Sequence, residues 1–150
     1  MSAQTVERYV DLLEKSFVIF RLSPYFTNKR KEISKMKKIY FYDLGIRNAL
    51  IRSFNPLRIR SDVGALFENF CIVERMKHRQ YSESLAYPHF WRGAQQEEID
   101  LIELTGTDIR AFEIRYRPQK IKVPKKFSDL YPLATYEIVS NQNYVEFISG

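Results

Sequence analysis

The sequence is poor in cysteine and in long apolar runs, and both shortages limit where the protein can work. Cys71 is the single cysteine, which excludes an internal disulfide and fits a reducing compartment. The uninterrupted apolar runs extend over only a few residues, so none is long enough to span a membrane. The opening segment, Met-Ser-Ala-Gln-Thr-Val-Glu-Arg, has no apolar core of the kind that a secretory signal needs. We therefore expect a cytoplasmic protein that does not enter a membrane.

Two kinds of functional motif are also missing. No Gly-x-x-x-x-Gly-Lys-Ser/Thr segment occurs, so the usual nucleotide-phosphate loop is absent and we expect no ATPase activity from this chain alone. His78 and His89 are far apart in sequence and have no ligand spacing with Cys71, so a zinc site has little support.

What the sequence does contain is typical of a folded domain. The apolar fraction is 45% and the aromatic fraction is 15%, which argues against disorder. A length of 150 residues is enough to bury a core. It fits one medium domain, or one small domain with a fragment of another.

The net charge of +6 is unevenly distributed along the chain. Residues 29–38 contain six cations and one acid, and residues 115–126 contain six cations and no acid. Concentrated positive charge suits a polyanion, because each neutralised phosphate releases condensed counterions. We therefore predict contact with DNA, the alternative being that these charges lie in ordinary solvated turns. The predicted nucleic-acid-binding residues are Lys29, Arg30, Lys31, Lys35, Lys37, Lys38, Arg117, Lys120 and Lys122.

The first part of the chain reads as a helix followed by two strands. Apolar residues recur at helical spacing over residues 5–15, which predicts an amphipathic helix. Aromatic and β-branched residues over 17–22 and 38–42 predict strands, separated by a basic stretch. This order is typical of the second half of a winged helix, in which the basic loop forms the wing. A short helix over 44–51 is predicted to follow.

The second part of the chain predicts an α/β sandwich. Asp62 is the predicted N-cap of a helix that runs to about residue 79. The order helix, three strands, helix, strands indicates a sandwich built on a mixed sheet. The remaining predicted elements are strands over 85–92, 98–104 and 109–116, a helix over 124–131, and closing strands over 135–139 and 144–148.

Three acidic residues have a spacing that suggests a divalent-metal phosphodiester site. Glu68 lies on the predicted helix, whereas Asp100 and Glu113 lie on consecutive predicted strands joined by the turn Thr105-Gly-Thr-Asp108. Mg²⁺ and Mn²⁺ are hard cations that bind several carboxylate oxygens, and a bound ion generates hydroxide and stabilises displacement at phosphorus. For Glu68 the alternative is an early-turn glutamate that is favoured by the helix dipole.

The strand pattern predicts that a cation accompanies these acids. Alternation places Glu113 and Arg115 on one face of their strand, with Phe112, Ile114 and Tyr116 on the other. Asp100 shares its strand face with Glu98 and Ile102, and it can approach Glu113 if the two strands pair. The alternative is an ordinary surface salt bridge between Arg115 and a neighbouring acid.

Five segments together resemble a known architecture. In order they are Lys38-Ile-Tyr-Phe-Tyr-Asp-Leu-Gly-Ile46, Gly64-Ala-Leu-Phe-Glu-Asn-Phe70, Phe90-Trp-Arg92, Glu98-Ile-Asp100 and Glu113-Ile-Arg115. The chain resembles the C-terminal region of bacterial and archaeal AAA-type ATPases, in which a winged helix precedes a PD-(D/E)XK (restriction-endonuclease-like) domain. The resemblance implies a partial winged helix over residues 1–42 and a nuclease-like α/β sandwich over 43–150. It also implies an ATPase module in the same full-length protein.

Carried over by position, the resemblance implies a catalytic set of Glu68, Asp100, Glu113 and Arg115, with the three acids binding Mg²⁺ or Mn²⁺. Arg115 occupies the position of a lysine. Arginine stays charged, so it stabilises phosphate charge but cannot act as a base. We therefore expect a nucleic-acid-binding module, and the sequence leaves undecided whether it also hydrolyses DNA with the help of a metal ion. The alternatives are a non-catalytic domain that docks on its ATPase or on a protein partner, dimerisation included, and an isolated structural fragment.

Overall fold

The computed structural model describes residues 2–25, 36–93 and 95–150. The chain begins with helix α1, Ala3–Lys15, which is capped by the hydroxyl of Ser2 accepting a hydrogen bond from the Thr5 amide. The predicted first helix is thereby confirmed. No residue of α1 is buried, and its apolar stripe stays on the surface. The exposed apolar members of that stripe are Val6, Tyr9, Leu12 and Leu13.

A β-hairpin follows α1. Strand β1, Ile19–Leu22, pairs in antiparallel fashion with strand β2, Lys38–Phe41. Both strands were predicted and are confirmed. The basic stretch predicted to form a wing between them falls mostly on residues 26–35, outside the described residues.

Helices α2, Leu44–Leu50, and α3, Val63–Tyr81, are joined by a short 3₁₀ helix, Leu57–Ile59. Asp62 precedes α3 as predicted, but its carboxylate makes no side-chain cap hydrogen bond. It accepts instead from the guanidinium groups of Arg47 and Arg60, at 2.8 Å each. Charged donors form stronger hydrogen bonds to a carboxylate than a backbone amide does, so they displaced the predicted cap.

A mixed four-stranded sheet forms the centre of the second part. Its strands are β3, Tyr87–Arg92, β4, Glu98–Thr105, β5, Asp108–Ile114, and β6, Thr135–Val139, in that spatial order. The pairs β3–β4 and β4–β5 are antiparallel, and the pair β5–β6 is parallel. The crossover from β5 to β6 carries helix α4, Lys125–Leu130. The predicted mixed α/β architecture is confirmed.

The last predicted strand is wrong, because Tyr144–Ser149 forms a helix, α5. Its aromatic and β-branched content favoured a strand, but Tyr144, Phe147 and Ile148 have helical spacing and pack together on the core. The Asn143 side chain closes the preceding turn by accepting from the Ser140 amide at 2.7 Å. Tertiary packing therefore overrode the local β propensity.

Two apolar clusters cover opposite faces of the sheet. Alternate residues of β5 divide between them: Phe112 and Ile114 join the first cluster, and Ala111 joins the second. The first cluster lies against α3 and α5, and the second contains Phe127 of α4. Phe20, Leu22 and Tyr40 of the hairpin belong to the first cluster, so the hairpin and α3 share one core. No helix in the described ranges is long and apolar enough to cross a membrane.

Strand β4 contains a β-bulge. His89 pairs with Ile102 and Trp91 pairs with Ile99, so two steps along β3 correspond to three along β4. The extra residue brings Ile99 and Ile102 into the same apolar cluster although they are three positions apart. Asp100 lies within this irregularity. Bulges of this kind redirect a side chain and are common beside functional sites.

Candidate functional site

Four carboxylates from three elements converge at one end of the sheet. Helix α3 supplies Glu68, strand β4 supplies Glu98 and Asp100, and strand β5 supplies Glu113. The predicted convergence of Glu68, Asp100 and Glu113 is therefore what the structure contains. We refer to these four residues as the carboxylate pocket.

The ammonium group of Lys38, on strand β2, lies inside the carboxylate pocket. Its Nζ is 3.0 Å from Glu68 Oε1, 2.6 Å from Glu98 Oε1 and 2.9 Å from Asp100 Oδ1. The sequence grouped Lys38 with the surface cations that bind nucleic acid. In the structure only 19% of its side chain is exposed, and three acids share its charge. Lys38 is therefore a component of the pocket rather than of a basic surface.

Arg115 closes the other side of the pocket. Its guanidinium donates to Asp100 Oδ2 at 3.0 Å and to Glu113 Oε1, so one planar group holds two acids. The predicted association of Arg115 with both strand acids is what the geometry shows. With 39% of its side chain exposed, Arg115 is more accessible to solvent than Lys38 is.

Asp100 is the most completely bonded acid of the pocket. Oδ1 accepts from Lys38, whereas Oδ2 accepts from Arg115 and, at 2.9 Å, from the backbone amide of Ile114. Only 4% of the residue is exposed. A buried carboxylate is stable when charged groups and backbone amides donate hydrogen bonds to its oxygens. Both oxygens of Asp100 accept such bonds.

Glu68 and its neighbour Asn69 hold strand β2 against α3. Glu68 Oε1 accepts from the Tyr40 hydroxyl at 2.7 Å. Asn69 is buried, and its side-chain amide bonds both backbone groups of Phe41, accepting from the nitrogen at 2.9 Å and donating to the oxygen at 2.8 Å. These contacts fix the strand that carries Lys38.

Glu113 is the least satisfied acid of the pocket. Burial raises its pKa to about 7, the negative charge of Asp100 adds to that rise, and Arg115 and Lys38 oppose it. Within the described part of the chain, Glu113 Oε2 has no hydrogen-bond partner. The residue is 3% exposed.

Lys38 stays protonated in this environment. Burial by itself lowers the pKa of the ammonium group, but the charges of Asp100 and Glu68 outweigh burial and raise the pKa above its ordinary value. Lys38 is therefore a permanent cation at the centre of the pocket in the ordinary pH range.

The arrangement does not fit a divalent metal ion. Among residues 2–25, 36–93 and 95–150, no group of three or more His, Cys, Asp or Glu side chains is placed to hold one. In addition, Lys38 Nζ lies between Glu68, Glu98 and Asp100, where a hard cation would have to bind. Binding of Mg²⁺ or Mn²⁺ by Glu68, Asp100 and Glu113 stays a prediction, with Lys38 as the competing cation.

The other predicted nucleic-acid-binding residues lie on the surface or outside the described residues. Lys37 is exposed and donates to the Ser23 hydroxyl at 2.8 Å. Arg117, Lys120 and Lys122 are exposed in the segment that follows β5. The residues that fall outside the described ranges are Lys29, Arg30, Lys31 and Lys35.

Sequence reasoning placed Glu98 on the strand face of Asp100 but did not assign it to the site, and it missed the central role of Lys38 and the clamp formed by Tyr40 and Asn69. One signal was available for Glu98, because it stands two positions before Asp100 and therefore shares its side of the strand. Lys38 and Tyr40 are also two positions apart on β2 and both reach Glu68. No local pattern indicated that β2 would lie beside α3.

Two family models match the chain. Residues 1–57 match one described as Domain of unknown function (DUF8612), and residues 63–147 match one described as Domain of unknown function (DUF4143). Uncharacterized proteins of Mycobacterium bovis and Mycobacterium tuberculosis are each 32% identical over 114 residues. These alignments cover 74% of this chain and 25% of each relative, so the chain spans about a quarter of their length. No solved structure matches the chain significantly.

Proposed function

The chain belongs to the family described as Domain of unknown function (DUF4143), and we propose that it is a nucleic-acid-binding module on a PD-(D/E)XK-like scaffold. The observation that carries the proposal is an exposed basic segment that begins beside the carboxylate pocket. Two residues beyond Arg115 the chain leaves the pocket, and its next cations are all exposed, with no acid among residues 115–126. We call these cations the basic segment: Arg117, Lys120, Lys122, Lys125 and Lys126.

The electrostatics of the basic segment support contact with a phosphate backbone. Exposed lysine and arginine side chains next to one another attract a polyanion through counterion release, without a requirement for base contacts. Two prolines, Pro118 and Pro124, lie within the segment on either side of Lys120 and Lys122 and restrict the backbone there, which lowers the entropy lost when the segment binds. The expected result is affinity that depends strongly on salt and weakly on sequence.

The arrangement of the pocket supports the nuclease-like scaffold. Its acids come from one helix and two adjacent strands of a mixed sheet, which agrees with the resemblance to PD-(D/E)XK domains. Hydrolysis is not included in the proposal, because Lys38 fills the pocket. Among the cations that pair with the pocket acids in the described part of the chain, Arg115 has the most exposed side chain and is the best placed to reach a phosphate of bound nucleic acid.

The larger protein in which the module works is also part of the proposal. The helix, the hairpin and the basic stretch between its strands support a partial winged helix before the nuclease-like domain. The relatives are much longer than this chain, which agrees with a C-terminal module that accompanies an AAA-type ATPase in one polypeptide. The ATPase is proposed from the sequence resemblance.

The test measures DNA affinity by fluorescence anisotropy at a series of salt concentrations. Wild-type protein is compared with the double variant Lys120→Glu/Lys122→Glu, in which both side chains are exposed. We expect the logarithm of the affinity to fall with the logarithm of salt by about 0.9 per phosphate contact on duplex DNA. The double variant should bind at least tenfold more weakly and with a smaller slope.

The matched control is Arg8→Glu/Lys15→Glu, which makes the same charge change at exposed positions of α1. Unchanged binding by this control assigns the contact to the basic segment. If both double variants lose the same amount of DNA affinity, that assignment is contradicted, and the loss reflects only the change in net charge. Binding that is absent at low salt contradicts the proposed function itself.

A second function, docking on the ATPase or on another protein without chemistry, is favoured by one observation. The apolar stripe of α1 is exposed although its spacing is that of a core-facing helix. The two functions differ in a single measurement, because a docking domain shows no salt-dependent DNA affinity. Sedimentation of the wild type beside Leu12→Ser separates self-association through this stripe from a monomer.

A further inference from the structure

The carboxylate pocket and its central cation come from different parts of the chain. All four acids lie within residues 63–147, whereas Lys38 lies within residues 1–57, which match a separate family. Lys38 reaches the pocket because strand β2 is clamped on α3 by Asn69 and by the bond from Tyr40 to Glu68. The hairpin therefore supplies a charge that the nuclease-like part lacks at that point.

The charges of the pocket show what Lys38 does there. Four carboxylates face three cations, Lys38, Arg92 and Arg115. Among these acids Arg115 pairs with Asp100 and Glu113, and the Arg92 guanidinium lies 3.7 Å from Glu98 Oε2, so no cation other than Lys38 lies against Glu68 in the described part of the chain. Without Lys38, Glu68 and Asp100 would keep their positions through other bonds but would lose the cation between them. Carboxylates held close together without a cation repel one another, and a hard divalent ion is the ligand that such a set attracts.

We propose that Lys38 is an internal cation that takes the place of a divalent ion in the carboxylate pocket, so that the pocket binds metal only when the ammonium group is removed. Glu113 adds a fourth acid beside the three that contact Lys38, and its buried Oε2 has no hydrogen-bond partner in the described part of the chain. The ammonium group and the ion exclude each other because both require the same oxygens of Glu68, Glu98 and Asp100.

Contacts other than those of Lys38 also hold the hairpin in place. Phe20, Leu22 and Tyr40 anchor the hairpin in the first apolar cluster, and Asn69 holds Phe41 by two hydrogen bonds. Methionine at position 38 keeps an unbranched apolar stem beside the ring of Phe90, over which the ammonium group lies 5.9 Å from the centroid. Lys38→Met therefore removes the charge with little change in packing.

The experiment titrates Mn²⁺ into the protein without nucleic acid and counts free Mn²⁺ by electron paramagnetic resonance. Wild type is compared with Lys38→Met and with the matched control Lys37→Met, which loses the same charge at the adjacent, exposed position. We expect no saturable site in the wild type or in Lys37→Met. Lys38→Met should bind one Mn²⁺ per chain, with an affinity at least tenfold higher than that of any residual binding by the wild type or by Lys37→Met.

Further variants connect the new site to the pocket. Adding Asp100→Asn to Lys38→Met should abolish the gain in Mn²⁺ affinity. Adding Asp108→Asn instead, at an exposed position of β5, should leave that gain unchanged. Thermal unfolding followed by circular dichroism checks that each variant is folded. Lys38→Gln, which is neutral and polar, replaces Lys38→Met if the latter does not fold.

Two results overturn the proposal. One is stoichiometric Mn²⁺ binding by the wild type with the affinity of Lys38→Met, which would show that the ammonium group does not compete. The other is a folded neutral variant at position 38 with no gain in affinity. Neither result depends on DNA, so failure here is distinct from failure of the proposed nucleic-acid binding.

Discussion

Lys38 and Asp100 are 62 positions apart in the sequence, yet Lys38 Nζ lies 2.9 Å from Asp100 Oδ1. This contact joins the hairpin of β1 and β2 to the four-stranded sheet. Asp100 also bonds Arg115 and the Ile114 amide, so a single carboxylate connects strands β2, β4 and β5. The stability of the pocket is therefore linked to the placement of the hairpin.

Asp100→Asn should destabilise the protein strongly. The substitution removes the negative charge that Lys38 and Arg115 share. It also replaces one accepting oxygen with an NH₂ group, which is a donor and cannot accept the hydrogen bonds that these cations donate. We expect a loss of roughly 3 kcal/mol in the free energy of unfolding, as for a buried ion pair that loses one partner. Urea denaturation followed by tryptophan fluorescence measures it through the buried Trp91.

The control for Asp100→Asn is the same change at Asp108, which is exposed at the start of β5. Its effect should stay within about 0.5 kcal/mol, as is usual for surface positions. If Asp100→Asn is as mild as Asp108→Asn, the contacts of Asp100 do not contribute to stability and the link between hairpin and pocket is incorrect.

Asn69→Ala should loosen the hairpin more than the rest of the fold. The change leaves the backbone nitrogen and oxygen of Phe41 without their side-chain partner. An unsatisfied buried group costs roughly 1–3 kcal/mol, so the loss should fall in that range. Hydrogen exchange should accelerate at Phe41 before it does in β4 and β5. Uniform acceleration throughout the chain would instead indicate global destabilisation, and Asn141→Ala, at an exposed position, is the control.

Local patterns predicted most elements and three of the four acids of the pocket, because periodicity and side-chain alternation depend on residues close together in the sequence. They did not predict α5, whose helix depends on packing Phe147 into the core. They also placed Lys38 on a basic surface, since a run of cations carries no information about an acidic partner far along the chain. The β-bulge at Asp100 was likewise missed, because pairing with β3 determines it.

Glu113 should make the stability of the protein fall as the pH rises. Its pKa is raised from 4.5 to about 7 in the folded state, so the folded protein holds a proton that the unfolded chain has released. The contribution of Glu113 is therefore fully present below about pH 4.5 and is lost as the pH rises to about 7, by up to roughly 3 kcal/mol. Urea denaturation at several pH values measures this loss.

Glu113→Gln isolates the contribution of this one acid from those of all other titrating groups. The glutamine cannot ionise, so the difference in stability between wild type and variant should change between pH 4.5 and pH 7 in favour of the variant. Glu137→Gln, at an exposed position of β6, should leave the pH profile parallel to that of the wild type. Parallel profiles for Glu113→Gln would show that Glu113 titrates normally.

Arg115→Lys introduces the lysine that the proposed PD-(D/E)XK resemblance implies at this position, but it should not create a nuclease. A single ammonium group cannot hold Asp100 and Glu113 as the planar guanidinium does, so we expect a loss of roughly 1–2 kcal/mol in stability. Lys38 still fills the pocket, and supercoiled plasmid incubated with Mn²⁺ should stay intact with either the wild type or Arg115→Lys.

The nicking assay decides between two explanations for the inactivity expected of the wild type. Nicking by Arg115→Lys alone, abolished when Glu113→Ala is added, would show that the identity of residue 115 limits hydrolysis and that Lys38 does not. Nicking that requires both Lys38→Met and Arg115→Lys would assign the block to both residues, whereas nicking by Lys38→Met alone would assign it to the ammonium group. In that case the carboxylates retain the geometry for hydrolysis, and the hairpin cation is what prevents it.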